Sequence, residues 1–382
     1  MQPFDFQSSI RVVYGENTLN QLGNLSKVLG GERVLIVTDA GIVAAGLVER
    51  ARQLLQHAAI DAFVFDGVET NPTTRHVEDG LQFAREIAPI DLIIGLGGGS
   101  AMDCAKGINF LLTNGGKMED YWGVDKAAKP MLPSIGIPTT AGTGSEAQSF
   151  ALIAQEEGHR KMACGDKKAR FKTVILDPVL IRSVPQEIKA TAGMDALAHA
   201  VESFVCTRSN AVSELFSREA WRLLSGNFEK MLKEPENLRA ASRMLLGAHF
   251  AGMAVENAML GAAHACANPL TARFGISHGM AVGLMLPSVV RFNSQVVEGR
   301  YQKLMQALNV YQTAASRSAE QLAEKLVDLM RKCNWPLQLS ELHIAETDLP
   351  ALAEEAAQQW TAQFNPRPLS PKVCLELYQK TF

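Results

Sequence analysis

Asp91-Leu92-Ile93-Ile94-Gly95-Leu96-Gly97-Gly98-Gly99-Ser100-Ala101-Met102-Asp103-Cys104-Ala105-Lys106 is the stretch that decides the fold. Asp91 to Leu96 reads as a strand, because Leu92 to Leu96 is a short apolar run without polar alternation, the pattern of a strand buried on both faces. Three glycines end the run, and a helix is expected near 101–112. The same grammar repeats on either side. Arg33-Val-Leu-Ile-Val-Thr38, Ala62-Phe-Val-Phe65, Leu132-Pro-Ser-Ile-Gly-Ile137 and Thr173-Val-Ile-Leu-Asp177 read as strands, with helical periodicity over 42–58 and 73–87. Strands alternating with helices predict a parallel, Rossmann-like sheet covered by helices on both faces. Ligands of such sheets sit outside the carboxyl ends of the strands.

From Pro185 onward no alternating strand is expected. Helical stretches are read at 187–206, 210–232, 237–256, 258–273, 279–296, 318–333 and 370–380. The fold class is therefore an α/β domain with a parallel, Rossmann-like sheet over 1–180, followed by an all-α domain over 181–382. The change falls near Asp177-Pro178.

The chain has 382 residues, enough for two ordinary domains. A net charge of −3 with 20% charged residues gives no basis for a nucleic-acid or anionic-membrane partner. No run of about 18 apolar residues suggests a membrane span. Met1-Gln-Pro-Phe-Asp-Phe6 lacks the basic-then-apolar order of a signal peptide. The six cysteines are scattered without a C-x-x-C pair, as expected of reduced thiols in a cytoplasmic protein.

The strand ends carry the first candidate chemistry. Asp39 follows the first strand. It can accept hydrogen bonds from an adenosine ribose and repel a 2′-phosphate, or it can cap the helix after it; both can hold. Gly97, Gly98, Gly99 and Ser100 open a helix, where backbone N–H groups can approach a pyrophosphate. Thr139, Thr140, Thr143 and Ser145 crowd the next loop with hydroxyls.

The second half carries a different set, in Ala192-Gly-Met-Asp195-Ala-Leu-Ala-His199-Ala-Val-Glu202. Asp195 and His199 are four apart, so they project from one helical face. Their neighbours are apolar, and a buried aspartate is costly unless paired or metal-bound. His264 and His278 lie downstream beside small residues. One oxygen and three nitrogens suit Fe²⁺, Zn²⁺ or Co²⁺. Of the other histidines, His57, His76 and His159 read as solvated, and His249 as a core residue.

Taken together these pieces resemble the iron-dependent (group III) alcohol dehydrogenases. The resemblance rests on Gly97–Lys106, Pro138–Glu146, Asp177-Pro178, Ala192–Glu202, the Gly261 to Gly279 stretch and Asn365-Pro-Arg367, in family order over nearly the whole chain. It implies that 1–180 is a dinucleotide-binding domain and 181–382 a metal- and substrate-binding domain, in a metal-dependent, NAD(H)-linked alcohol dehydrogenase or aldehyde reductase. Asp195, His199, His264 and His278 would be the ligands of Fe²⁺, with Zn²⁺ as the alternative, and would act through the metal. Asp39, Asn71, Gly97 to Ser100, Asp103, Thr139, Thr140, Thr143, Ser145 and Lys161 would line the NAD site. The substrate would be a small alcohol or aldehyde, and the assembly a homodimer or larger. The family usually has a histidine near the nicotinamide where this chain has Asn268, and an amide does not titrate near neutral pH. A pocket aromatic of the family is replaced by Val255, with Trp360 expected nearby. Sibling chemistries on the same fold stay open: polyol oxidation of the glycerol-dehydrogenase type, or a maleylacetate-reductase-like reduction. A non-catalytic NAD- or metal-binding protein is the more distant alternative.

Overall fold

The computed structural model describes residues 2–7, 10–157, 160–308 and 317–382, so His159 lies outside the described residues. The chain divides into two compact units. Gln7–Val184 forms one; the residues from Pro185 to Phe382, together with the N-terminal segment through Phe6, form the other.

In the first unit, β1 (Arg11–Tyr14), β2 (Arg33–Val37), β3 (Asp61–Phe65), β4 (Leu92–Gly97), β6 (Ser134–Pro138) and β9 (Thr173–Leu176) make a six-stranded sheet in the order β1-β9-β6-β4-β2-β3. Every neighbouring pair is parallel. A second, mixed sheet joins β5 (Gly123–Val124), β7 (Phe150–Ala154) and β8 (Lys161–Gly165). Alternate side chains of a strand face opposite sides, and here that builds two cores. Leu35, Val37 and Ile93 pack with Val77, Leu81 and Ile108. Val34, Ile36, Leu92 and Ile94 pack with Leu22, Leu25, Val48 and Leu55 on the other face. Those partners come from α1 (Leu22–Val28), α3 (Leu47–His57), α4 (Thr74–Glu86) and α5 (Gly99–Asn114), with the short α2 (Ala40–Ala44) between β2 and α3.

The expected strands of the large sheet are all present. The single helix expected over 42–58 is two helices, because Gly46 takes the left-handed conformation at φ 75°. The edge strand β1 and the mixed sheet were not expected. β1 is short and largely exposed, so it lacks the unbroken apolar signal of the central strands. His76 corrects a sequence expectation: it is 5% exposed, and its Nδ1 accepts the Thr73 N–H at 3.0 Å at the start of α4. His57 is exposed as expected.

The second unit contains α6 (Gln186–Val205), α7 (Ala211–Ser225), α8 (Phe228–Lys233), α9 (Leu238–Asn257), α10 (Ala262–Phe274), α11 (His278–Gln306), α12 (Ser318–Lys332), α13 (Leu349–Ala357) and α14 (Pro371–Gln379). The helix expected over 210–232 is broken at Gly226-Asn227, and α13 was not anticipated. Every residue from Gly193 to Val205 is buried, so α6 is enclosed on all sides; α7, α9 and α11 pack around it. α11 is long and apolar enough by composition to cross a bilayer, but 67% of its apolar window is buried within the protein, as in a core helix.

Candidate active site

Asp195 and His199 stand one turn apart on α6, His264 is in the first turn of α10, and His278 is the first residue of α11. The structure brings all four together. Asp195 Oδ1 lies 3.3 Å from His264 Nε2, 3.5 Å from His199 Nε2 and 3.7 Å from His278 Nε2. The His199 and His264 rings stack at 4.9 Å. Ligands about 2.1 Å from a shared ion in tetrahedral array would be about 3.4 Å apart, so these separations fit one divalent cation. Asp195, His199 and His264 are buried, at 4%, 6% and 3% exposure. Burial alone would raise the Asp195 carboxyl; His199, His264 and His278 hold it well below the carboxylate range. Burial would lower His264, but the carboxylates of Asp195 and Glu202 hold it up at about 9.

His264 is fixed from behind. Glu202, two turns along α6 from Asp195, sits 2.5 Å from His264 Nδ1, so His264 donates Nδ1–H to it and turns Nε2 toward Asp195. The same carboxylate accepts the Ala263 N–H at 2.6 Å, placing an anion at the helix N-terminus where it is stabilising. Asn365 Oδ1 accepts the Ala262 N–H at 3.3 Å, and Asn293 and Asn365 exchange amide hydrogen bonds at 3.0 and 2.8 Å. α10 therefore begins at Ala262 rather than 258, with its first turn held by side chains. At α11, a Cβ on Gly279 would lie 1.9 Å from the Thr191 carbonyl oxygen. Only glycine allows that approach, which sets His278 beside Asp195.

Neither Glu202 nor the Asn293–Asn365 pair was given a role from sequence. The available signal was a second carboxylate inside an apolar helix, three residues after His199 (202 − 199 = 3). Asn268 is one turn beyond His264, and its Nδ2 donates to Gln359 Oε1 at 3.0 Å. Val255 is buried in α9. Trp360 meets Phe364 edge-on at 6.3 Å and packs on Cys206, Ala258 and Met259. His249 is buried in α9.

The first unit carries the other candidate residues. The chain leaves β2 for β3 on one side and β4 for β6 on the other, so the topological switch point lies between β2 and β4. Asp39 follows β2 and caps α2, accepting the Ile42 N–H at Oδ1 (3.1 Å). A Cβ on Gly97 would lie 3.3 Å from the other oxygen, Asp39 Oδ2. Gly98 caps α5, and Gly99 and Ser100 begin it. A Cβ on Gly99 would sit 2.6 Å from Thr143 Cγ2, and one on Gly98 3.6 Å from Thr140 Oγ1. The glycine turn and the hydroxyl-rich loop are thus adjacent at the carboxyl ends of β4 and β6. Thr139 is buried at the end of β6. Ser145 Oγ donates to Asp103 Oδ1 at 2.6 Å. Asn71 takes a left-handed φ of 55°. Next to it, the Pro72 carbonyl accepts the Ala154 N–H at 2.9 Å, and Ala154 pairs with Lys161. That links Asn71 and Lys161 to one corner. Asp177 is structural: its carboxylate accepts N–H groups of Asn17, Leu19 and Val179.

Comparison with known proteins covers nearly the whole chain. The family model "Iron-containing alcohol dehydrogenase" matches residues 9–178, and "Fe-containing alcohol dehydrogenase family, C-terminal" matches 189–382. The chain is 35% identical over 354 residues to alcohol dehydrogenase 4 of Schizosaccharomyces pombe, covering 93% of this chain and 83% of that protein. A crystal structure of 1,3-propanediol oxidoreductase superposes with a TM-score of 0.96 at 32% identity, covering 100% of both chains. Sulfoacetaldehyde reductase from Bifidobacterium kashiwanohense, solved in complex with NAD⁺, gives a TM-score of 0.90 at 25% identity, covering 100% of this chain and 99% of that one.

Proposed function

The chain belongs to the iron-containing alcohol dehydrogenase family, and from that premise we propose that it interconverts a small alcohol and its aldehyde or ketone with NAD(H) as redox partner. The observation that carries this reading is the single carboxylate oxygen of Asp195 facing three imidazole nitrogens. When bound, Fe²⁺ supplies Lewis acidity toward the substrate oxygen and NAD supplies the hydride acceptor. Zn²⁺ suits the same donor set and is the alternative.

The chain's own residues provide position and charge. Asp195 contributes the one negative charge among the four ligands. Glu202 fixes the ring of His264 and keeps its Nε2 turned inward. The α5 N-terminus with Gly97 to Ser100 offers backbone N–H groups to a pyrophosphate. Asp39, after β2 at the switch point, would receive a ribose hydroxyl and repel a 2′-phosphate. Thr139, Thr140, Thr143, Asn71 and Lys161 complete the coenzyme wall. Asn268 offers hydrogen bonds but no proton exchange near neutral pH.

The same reading makes the protein a cytoplasmic homodimer or larger homo-oligomer. The free cysteines accord with a reducing compartment, and sedimentation velocity measures the assembly.

The test is metal analysis of anaerobically purified protein, joined to an NADH-linked screen of alcohols and aldehydes. Activity should disappear with chelator and return with Fe²⁺. Full turnover by metal-free protein would overturn the assignment.

A further inference from the structure

We propose that Lys106 is a positioning residue that clamps the Thr139–Ser145 loop to the glycine turn and so sets the affinity for the pyrophosphate half of NAD(H); this rests on the coenzyme-site reading above. Lys106 is 2% exposed. A buried ammonium is costly unless its three donors are satisfied. Here Nζ reaches Ser145 O at 2.7 Å, Ser145 Oγ at 2.8 Å and Phe150 O at 2.7 Å. It also lies 3.7 Å from Asp103 Oδ1 and 5.5 Å over the Phe171 ring.

These bonds have a direction. The Ser145 hydroxyl accepts from Lys106, which frees its own proton for Asp103 Oδ1 at 2.6 Å. Asp103 and Lys106 are successive turns of α5 (106 − 103 = 3), the helix that the glycine turn opens. One cation therefore fastens both ends of the segment from Ser145 to Phe150 to that helix. The loop before Ser145 is held so close that a Cβ on Gly99 would lie 2.6 Å from Thr143 Cγ2. Filling the space needs no charge; a methionine would pack there. A cation at this point fixes two backbone carbonyls and one hydroxyl beside the surface offered to phosphate. Asp39, at the ribose end, makes no contact with this cluster among the interactions described.

The experiment uses full-length Lys106→Met. NADH binding is measured by fluorescence titration and AMP binding by calorimetry, with circular dichroism to check the fold. NADH should bind about tenfold more weakly, while AMP, which lacks the second phosphate and the nicotinamide, stays within about twofold of wild type. Unchanged NADH affinity, or equal weakening of both ligands, overturns the proposal. If Lys106→Met does not fold, Ser145→Ala decides: selective loss of NADH binding supports the clamp, and unchanged binding of both ligands overturns it. Gly99→Val, which crowds Thr143, tests the underlying reading separately. Wild-type NADH affinity in that variant would sink the coenzyme site itself, not only the role of Lys106.

Discussion

Gly279 approaches Thr191 so closely that a Cβ at that position would lie 1.9 Å from the Thr191 carbonyl oxygen. The obstacle is backbone, so it cannot swing aside as a flexible side chain could. Gly279→Ala should therefore push the start of α11, and His278 with it, away from Asp195. The expected result is iron content reduced about tenfold with helical content retained. Metal analysis beside circular dichroism measures both, and a fully loaded Gly279→Ala protein would show that the approach is not needed for the centre.

Glu202 gives a second expectation. It holds His264 Nδ1 at 2.5 Å and caps α10. Glu202→Gln keeps the shape but removes the charge, so metal affinity should fall by about 10- to 100-fold, the usual cost of losing such a partner. Competition against a chromophoric chelator reads this directly. An affinity equal to wild type would mean that His264 is oriented by its helix alone.

The metal-free protein should show a distinctive pH response. The His264 pKa in the folded chain is held up at about 9, above its ordinary 6.5. The folded state thus binds the proton more tightly than the unfolded state. This stabilisation is complete below about pH 6.5 and is lost as pH rises through about 9. The melting temperature of chelated protein should fall across that window. Metal affinity should rise across the same window, because a coordinating imidazole must give up its proton. A flat melting temperature between those limits would contradict the geometry around His264.

Asp39 caps α2, and the proposed coenzyme reading gives it a second role that one substitution can separate from the first. Asn is as good a helix cap as Asp, so Asp39→Asn should leave the melting temperature nearly unchanged. It also removes the charge that, on the proposed reading, repels a 2′-phosphate. The ratio of kcat/KM for NADPH over NADH should rise about tenfold. An unchanged ratio would leave Asp39 as a cap and nothing more.

The parts of this protein legible in its sequence share one property: their signal is local. The central strands announce themselves as unbroken apolar runs, since both faces are covered. Asp195 and His199 are legible because one helical turn separates them. The coming together of His264, His278 and that pair follows from no spacing; it appears through the resemblance and then in the geometry. What escaped depends on distant partners. β1 is defined by pairing with β9, far along the chain. His76 is the exception: it reads as polar and solvated, yet it is buried, and the partner its ring serves is the backbone of Thr73 only three residues away. Glu202 and Lys106 look like ordinary charged residues until the groups that meet them, His264 and the Ser145–Phe150 segment, are seen in place.

The side chain of His278 is 24% exposed, against 7%, 6% and 4% for His199, Asp195 and His264. Three donors are walled in, and the fourth stands at the doorway on the first residue of a helix. Exchange of the ion should therefore run past this imidazole, which makes the lability of the centre a property of one helix end rather than of the whole donor set.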